Sequence, residues 1–191
     1  LRIGKFERET RETEVKVEVD LDGSGKSVIQ TPINFFNHML TSLSTHSMIN
    51  MKIDAKGDLK HHIVEDTAIG LGSAMRKALK NKENIFRFGY ARVPMDCSLS
   101  SCAVDLGNRP HSVVDVKTDN MMIEDAAVED LIHFFESLAA SLRGNVHVKV
   151  EYGRNDHHKV ESAFKALALS LRRAVSVDPR REGAPSSKGV L

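Results

Sequence analysis

The feature that most restricts this chain is that it carries one pattern twice. His61-His62-Ile63-Val64-Glu65 returns as His157-His158-Lys159-Val160-Glu161, 96 residues later. An earlier segment, His38-Met39-Leu40-Thr41-Ser42-Leu43, returns as His133-Phe134-Phe135-Glu136-Ser137-Leu138 at an offset of 95. A near-constant offset within 191 residues leaves room for two copies of one unit and little else. The fold must be one that half the chain can outline and its duplicate can complete.

Hydrophobic periodicity outlines that unit. Val15, Val17 and Val19 alternate with polar residues, as in a half-buried strand. Asp22-Gly23-Ser24-Gly25 reads as a turn, and Lys26 to Thr31 as the second strand of a hairpin. Helical spacing runs from Ile33 to about Thr45, a strand from Met48 to Lys56, and a second helix from about His62 to Lys80. In the second half, strands are expected over Ser98 to Leu106, Pro110 to Thr118 and around Val146, Val148 and Val150. Helices are expected over Val128 to Leu142 and Val160 to Val175. A further strand, Arg87 to Val93, is expected to bridge the halves. The reading is an α+β fold made by tandem duplication of a β-β-α-β-α unit. Residues 1–95 and 96–191 form the two repeats of one compact body. The tail from Asp178, rich in Arg, Pro, Gly and Ser, reads as a loose terminus.

Composition excludes several classes of function. A formal net charge of +1, no Trp and 5% aromatic residues argue against a nucleic-acid surface. No apolar run approaches ~20 residues, so no membrane span is expected. Leu1-Arg2-Ile3-Gly4-Lys5 is too polar for a secretory signal. The only cysteines, Cys97 and Cys102, match neither a zinc pair nor a disulfide scaffold. The expected location is the cytoplasm.

Histidine carries the chemical signal: there are nine, four of them in adjacent pairs. On a helix, His62 and Glu65 share a face, as do His158 and Glu161. Adjacent residues diverge by about 100°, so His61 and His62 do not easily reach one ion. With His38 and His133 on the preceding helices, eight metal ligands are expected: His38, His61, His62, Glu65, His133, His157, His158 and Glu161. Two sites of three imidazoles and one carboxylate would use them all. An isolated histidine is usually a surface or satisfied core residue; recurrence at a fixed offset argues for ligands. Such sulfur-free sites suit Mn, Fe, Co, Ni or Zn. His46 and His147, near helix-to-strand junctions, and His111, in a strand, fall outside the pattern. Other readings of the motifs are a carboxylate-bridged dimetal oxygenase or a non-catalytic metal store. The strands between the helices and the adjacent His pairs argue against the first. Arg109 and the C-terminal Ser-Ser-Lys argue against the second.

A longer set of motifs adds to this. Phe35-Phe36-Asn37-His38-Met39-Leu40, Gly57-Asp58, His61-His62-x-x-Glu65-Asp66 and Pro94-Met95-Asp96 occur in that order. Asp105-Leu106-x-x-Arg109-Pro110, His157-His158-x-x-Glu161-x-x-Phe164-Lys165-Ala166 and Pro185-Ser186-Ser187-Lys188-Gly189-Val190-Leu191 follow. From about Glu12 onward the chain resembles the imidazoleglycerol-phosphate dehydratase family. The resemblance implies a duplicated fold similar to the second domain of ribosomal protein S5, and two Mn(II) ions per active site on the same eight ligands. It implies trimers assembled into a 24-mer with ligands shared between chains. It also implies dehydration of imidazole glycerol phosphate to imidazole acetol phosphate in histidine biosynthesis. Metals on the imidazole nitrogens would enrich the ring so that it expels the C3 hydroxyl, after which a base takes the C2 proton. By resemblance, the catalytic carboxylates are Glu12, as general acid/base, with Glu65 and Glu161. The substrate-binding residues are Glu12, His46, Arg87, Arg109, Ser187 and Lys188. Without the family, Glu12 reads as one charge in the exposed run Glu7-Arg8-Glu9-Thr10-Arg11-Glu12. The chain departs from the pattern at Asn37, where the family has Asp expected to orient His38. Further departures are a shorter Asp58-to-His61 segment, Cys97 in place of Glu, and Gly107-Asn108 in place of Ser-Gly.

Overall fold

The computed structural model describes residues 1–191. The first half runs β1 (Ile3–Glu9), β2 (Thr13–Asp20), β3 (Ser27–Gln30), α1 (Asn34–Ser47), β4 (Asn50–Gly57) and α2 (Lys60–Leu79). The second runs β5 (Phe88–Met95), β6 (Ser98–Asp105), β7 (His111–Asp115), a small hairpin of β8 (Met122–Ile123) and β9 (Ala126–Ala127), α3 (Val128–Leu142), β10 (Asn145–Tyr152) and α4 (Asp156–Val175). The sheets have matching orders, β1-β2-β4-β3 and β5-β6-β10-β7, with the last pair of each parallel. The duplication in sequence is therefore a duplication in topology.

Each four-stranded sheet holds one strand more than the expected β-β-α-β-α unit, and the small β8–β9 hairpin had no counterpart in the periodicity. β1 lies in the charged run before Thr13 and pairs antiparallel with β2 from Ile3↔Asp20 to Glu9↔Glu14. As an edge strand it buries little beyond Gly4, so its alternation is masked by charge. The expected bridging strand is β5, the counterpart of β1, and it pairs with β6 inside the second sheet. By strand pairing β5 thus belongs to the second sheet. The two edge strands share one packing device. A Cβ on Gly4 would overlap the Ala74 carbonyl of α2, and one on Gly89 would overlap the Ser170 carbonyl of α4. Glycine lets each strand lie directly on its helix.

The helices fill the space between the sheets. Val15, Val17 and Val19 of β2 and Val146, Val148 and Val150 of β10 turn inward. α2 packs on β1 and β2, and α4 on β5 and β6. The helices then pair across the repeat: α1 lies on α4, and α2 on α3. Phe36 meets Phe134 edge-on at 5.5 Å, and Phe164 stacks on Phe134 at 5.2 Å and meets Phe135 at 4.8 Å. All buried apolar residues join one cluster of 48, so neither half has a core of its own. α4 starts at Asp156, a turn before the first apolar residue, because the Asn155 side chain caps the His158 amide at 3.0 Å. The C-terminal tail is pinned rather than loose. Val177 bridges to Ile85, Asn84 bonds Gly183 in both directions, and the Pro185 carbonyl accepts from Arg87 at 2.9 Å.

Candidate metal centres and anion cavity

Both His-His-x-x-Glu motifs open long helices, so each pair of adjacent rings diverges. Ring centroids lie 6.2 Å apart for His61 and His62, and 6.0 Å for His157 and His158. The first ring of each pair, four residues before the glutamate, turns toward it. The expected three-residue partnerships, His62 with Glu65 and His158 with Glu161, are not the ones formed. One centre joins His61, Glu65 and His133, and the other joins His38, His157 and Glu161, with the ligand atoms of each within 4.8 Å of one another. His133 Nε2 lies 3.2 Å from Glu65 Oε1, and both His38 Nε2 and His157 Nε2 approach Glu161 Oε2, at 3.3 and 3.2 Å. Every centre draws on both repeats, because α1 pairs with α4 and α2 with α3. No glutamate belongs to both centres, which disfavours a carboxylate-bridged pair.

His62 and His158 stand outside these centres at equivalent corners. His62 Nδ1 is 2.8 Å from Asp58 and 3.9 Å from Glu12, and its bond to Asp58 raises its pKa. His158 Nδ1 is 3.7 Å from Cys97 Sγ, and its Nε2 is 3.5 Å from Asp96. The hydrogen bond to His158, with backbone donors, pulls the Cys97 thiol down to about 6. Cys97 immediately precedes β6 as Glu12 precedes β2, so the two residues occupy matching turns.

Neighbouring carboxylates orient the rings. Asp130 meets His61 Nδ1 at 2.7 Å, and Glu136 and Glu124 lie 3.4 and 3.6 Å from the Nδ1 atoms of His133 and His157. Asn37 has another task. It bonds the Thr31 amide, hydroxyl and carbonyl, fixing the turn into α1 and leaving His38 to Glu161. Lys165 was not among the expected site residues, yet its Nζ lies 3.0 Å from Glu161; its place four residues along α4 was the available signal. Burial pushes Glu161 up, but Lys165 and His38 hold it below the usual carboxylate value. His46 lies near the same corner. Burial chiefly, and then the Lys165 charge, lower its pKa. Asp130 had no sequence signal, since it serves a ring on a different helix.

The donor sets, two imidazoles and a carboxylate without sulfur, suit a divalent transition ion and leave coordination positions for further ligands. Glu12 is exposed in the β1–β2 turn beside His62. The remaining expected residues gather elsewhere. Arg87, Arg109, Ser187 and Lys188 line one cavity of about 400 Å³ with Gly107 and Asn108. Arg87 directs its fork at Asp105, at 2.6 and 3.1 Å, and so ties the cavity wall to the tail. Arg109 and Lys188 are exposed cations that make no ion pair. This cavity opens at the Asp105↔Asn145 end of the second sheet, whereas α4 starts beyond the Leu99↔Tyr152 end. Eight-residue strands separate the two ends by on the order of 20 Å.

Comparison with known proteins gives one answer. The model of the imidazoleglycerol-phosphate dehydratase family matches residues 31–171. An imidazoleglycerol-phosphate dehydratase of Clostridium kluyveri is 45% identical over the whole of both chains. One from Methanothermobacter thermautotrophicus is 47% identical, covering 96% of this chain and 95% of its own. Among solved structures, the Pyrococcus furiosus enzyme superposes with a TM-score of 0.86 at 40% identity, covering 97% of this chain and 100% of its own. The Staphylococcus aureus enzyme gives 0.84 at 29%, covering 92% and 99%.

Proposed function

Because this chain belongs to the imidazoleglycerol-phosphate dehydratase family, we propose that it dehydrates imidazole glycerol phosphate to imidazole acetol phosphate with two Mn(II) ions per active site. The family is a metal-dependent one of histidine biosynthesis. The observation that carries the reading is the convergence of six of the eight expected ligands on two centres, each built from both repeats. Mn(II) bound at these centres would act as a Lewis acid on the substrate imidazole.

The protein's own residues have distinct tasks. His38, His61, His133 and His157 hold the ions with Glu65 and Glu161, and His62 and His158 face outward to complete centres in a neighbouring chain. Glu12 is the acid/base. As an acid it gives a proton to the C3 hydroxyl, which leaves as water; as a carboxylate it then takes the proton from C2, and the resulting enol becomes the ketone by losing its O–H proton as C3 gains one. Arg109, Ser187 and Lys188 bind the phosphate, with Arg87 shaping the wall behind them. His46 supports the substrate beside Glu161. An imidazole, three carbons and a phosphate span on the order of 10 Å, less than the distance from the cavity to the His38–His157–Glu161 centre within one chain. This supports a homo-oligomer in which the site lies between chains, in line with a 24-mer of trimers. No helix is long and apolar enough to cross a membrane, and we place the enzyme in the cytoplasm.

The test is formation of imidazole acetol phosphate with Mn(II) supplied or chelated, in wild type and Glu12→Gln. Product that depends on Mn(II), and turnover falling roughly a hundredfold in the variant with its metal retained, is the expected result. Turnover that persists through chelation sinks the metal assignment.

A further inference from the structure

Glu12 sits on an exposed turn, which is a poor place for a group that must deliver a proton to a fixed atom. The turn is nevertheless held from beneath. The Thr10 hydroxyl accepts the amides of Glu12 and Thr13 at 3.1 and 3.0 Å, and the Thr10 amide donates to the Thr13 carbonyl at 2.8 Å. The Glu12 carbonyl accepts the Asp58 amide at 3.0 Å. Below the turn, Thr13 is buried and its hydroxyl donates to Asp66 Oδ2. Asp66 is 9% exposed, and its other oxygen accepts from Arg8 Nη1 at 3.1 Å. Asp66 directly follows Glu65 on α2, so one buried carboxylate ties the Glu12 turn to the helix carrying His61, His62 and Glu65.

The duplicate half shows that this clamp is not a general requirement of the fold. There the residue matching Asp66 is Ser162, 96 positions on. Its hydroxyl meets the Ser100 hydroxyl at 2.6 Å, a neutral contact to β6. The turn above it carries Cys97, not a carboxylate. The same fold thus builds an ionic clamp under the turn that bears Glu12 and a neutral contact under its counterpart. We propose that Asp66, acting through Thr13, is a positioning residue that holds Glu12 at the substrate. This rests on the reading of Glu12 as the acid/base.

Thr13→Val removes the hydroxyl at nearly constant volume, Asp66→Asn removes the charge, and Thr13→Ser restores the donor. Thr13→Val and Asp66→Asn should lower kcat roughly 10- to 100-fold, as expected for a displaced catalytic group. KM, metal content and native mass should stay near wild type, and Thr13→Ser should keep most of the turnover. In a Glu12→Gln background, Thr13→Val should cost nothing more, since there is no longer a group to position. Full turnover in Thr13→Val, with Glu12→Gln inactive, overturns the positioning role alone. Normal turnover in Glu12→Gln overturns the reading of Glu12 and the proposal with it. An equal loss from Thr13→Val in both backgrounds, or loss of metal in both Thr13→Val and Asp66→Asn, marks the clamp as structural and also overturns the proposal.

Discussion

Glu65 and Glu161 hold matching places in the duplicated motif but different surroundings. Their side chains are 38% and 8% exposed, and only Glu161 carries a lysine at 3.0 Å. Glu65→Gln and Glu161→Gln should each remove about half of the bound metal, since each deletes the anionic ligand of one centre. Glu161→Gln should also lower stability by about 1 kcal/mol more, because Lys165 loses its partner. Elemental analysis with thermal melts checks both, and equal melting of the two variants would contradict the asymmetry. A second residue-scale expectation concerns Lys82, which is 1% exposed with one long bond, 3.4 Å, to the Arg143 carbonyl. Burial above all, with the nearby Arg143 and Arg76 charges, brings it from 10.5 down to about 8. Below about 8 the protein bears the full cost of a buried ammonium. Between about 8 and 10.5 the folded form sheds that proton first, so stability from this group rises with pH. Lys82→Met should stabilise by about 1–2 kcal/mol at pH 7, with the gain shrinking toward pH 10.5; a gain that is constant with pH would refute it. At this scale duplication in the sequence picked out the six residues that converge on the two candidate centres, together with His62 and His158, which stand outside them. It was silent on how they are grouped. The pairing of His61 with His133, and of His38 with His157, depends on which helices touch.

At the scale of elements, legibility followed burial. α3, with its strong apolar face, has the bounds expected from periodicity, Val128–Leu142. β1 was hidden because an edge strand resting on a helix through Gly4 needs few apolar side chains. The start of α4 was hidden because its first turn is polar and is set by the Asn155 cap. α1 begins in a way that no local pattern records. Ile33 offers no side-chain cap, and Asp125, from the turn between β8 and β9, accepts the amides of Asn34 and Phe35 at 2.6 and 2.8 Å. A carboxylate there complements the positive end of the helix dipole, and it comes from the other half of the chain. Asp125→Ala should cost about 1 kcal/mol and loosen the turn that presents His38. Hydrogen exchange at Asn34 and Phe35 should speed up, and metal should bind more weakly at the His38 centre. Unchanged exchange at those two amides would show that the cap does not hold the helix start.

For the whole molecule, the decisive fact is the distance between its chemical parts. The His38–His157–Glu161 centre lies where α4 begins, and the anion cavity lies at the far end of the second sheet, on the order of 20 Å away. If the substrate bridges two chains, as proposed above, two differently broken chains should repair one another. Arg109→Ala damages the cavity and leaves Glu12 intact, and Glu12→Gln does the reverse. Each variant alone should be nearly inactive. If they are unfolded together and reassembled in equal amounts, random mixing gives about a quarter of the interfaces an intact cavity facing an intact Glu12. Turnover in the mixture should approach about that fraction of wild type, while a simple mixture of preformed oligomers should stay inactive until subunits exchange. Native mass measurement confirms that mixed assemblies have formed. Mixed assemblies with no recovered turnover would mean that one chain supplies both parts, and the separation along the strands would then have to be closed by a movement within the chain.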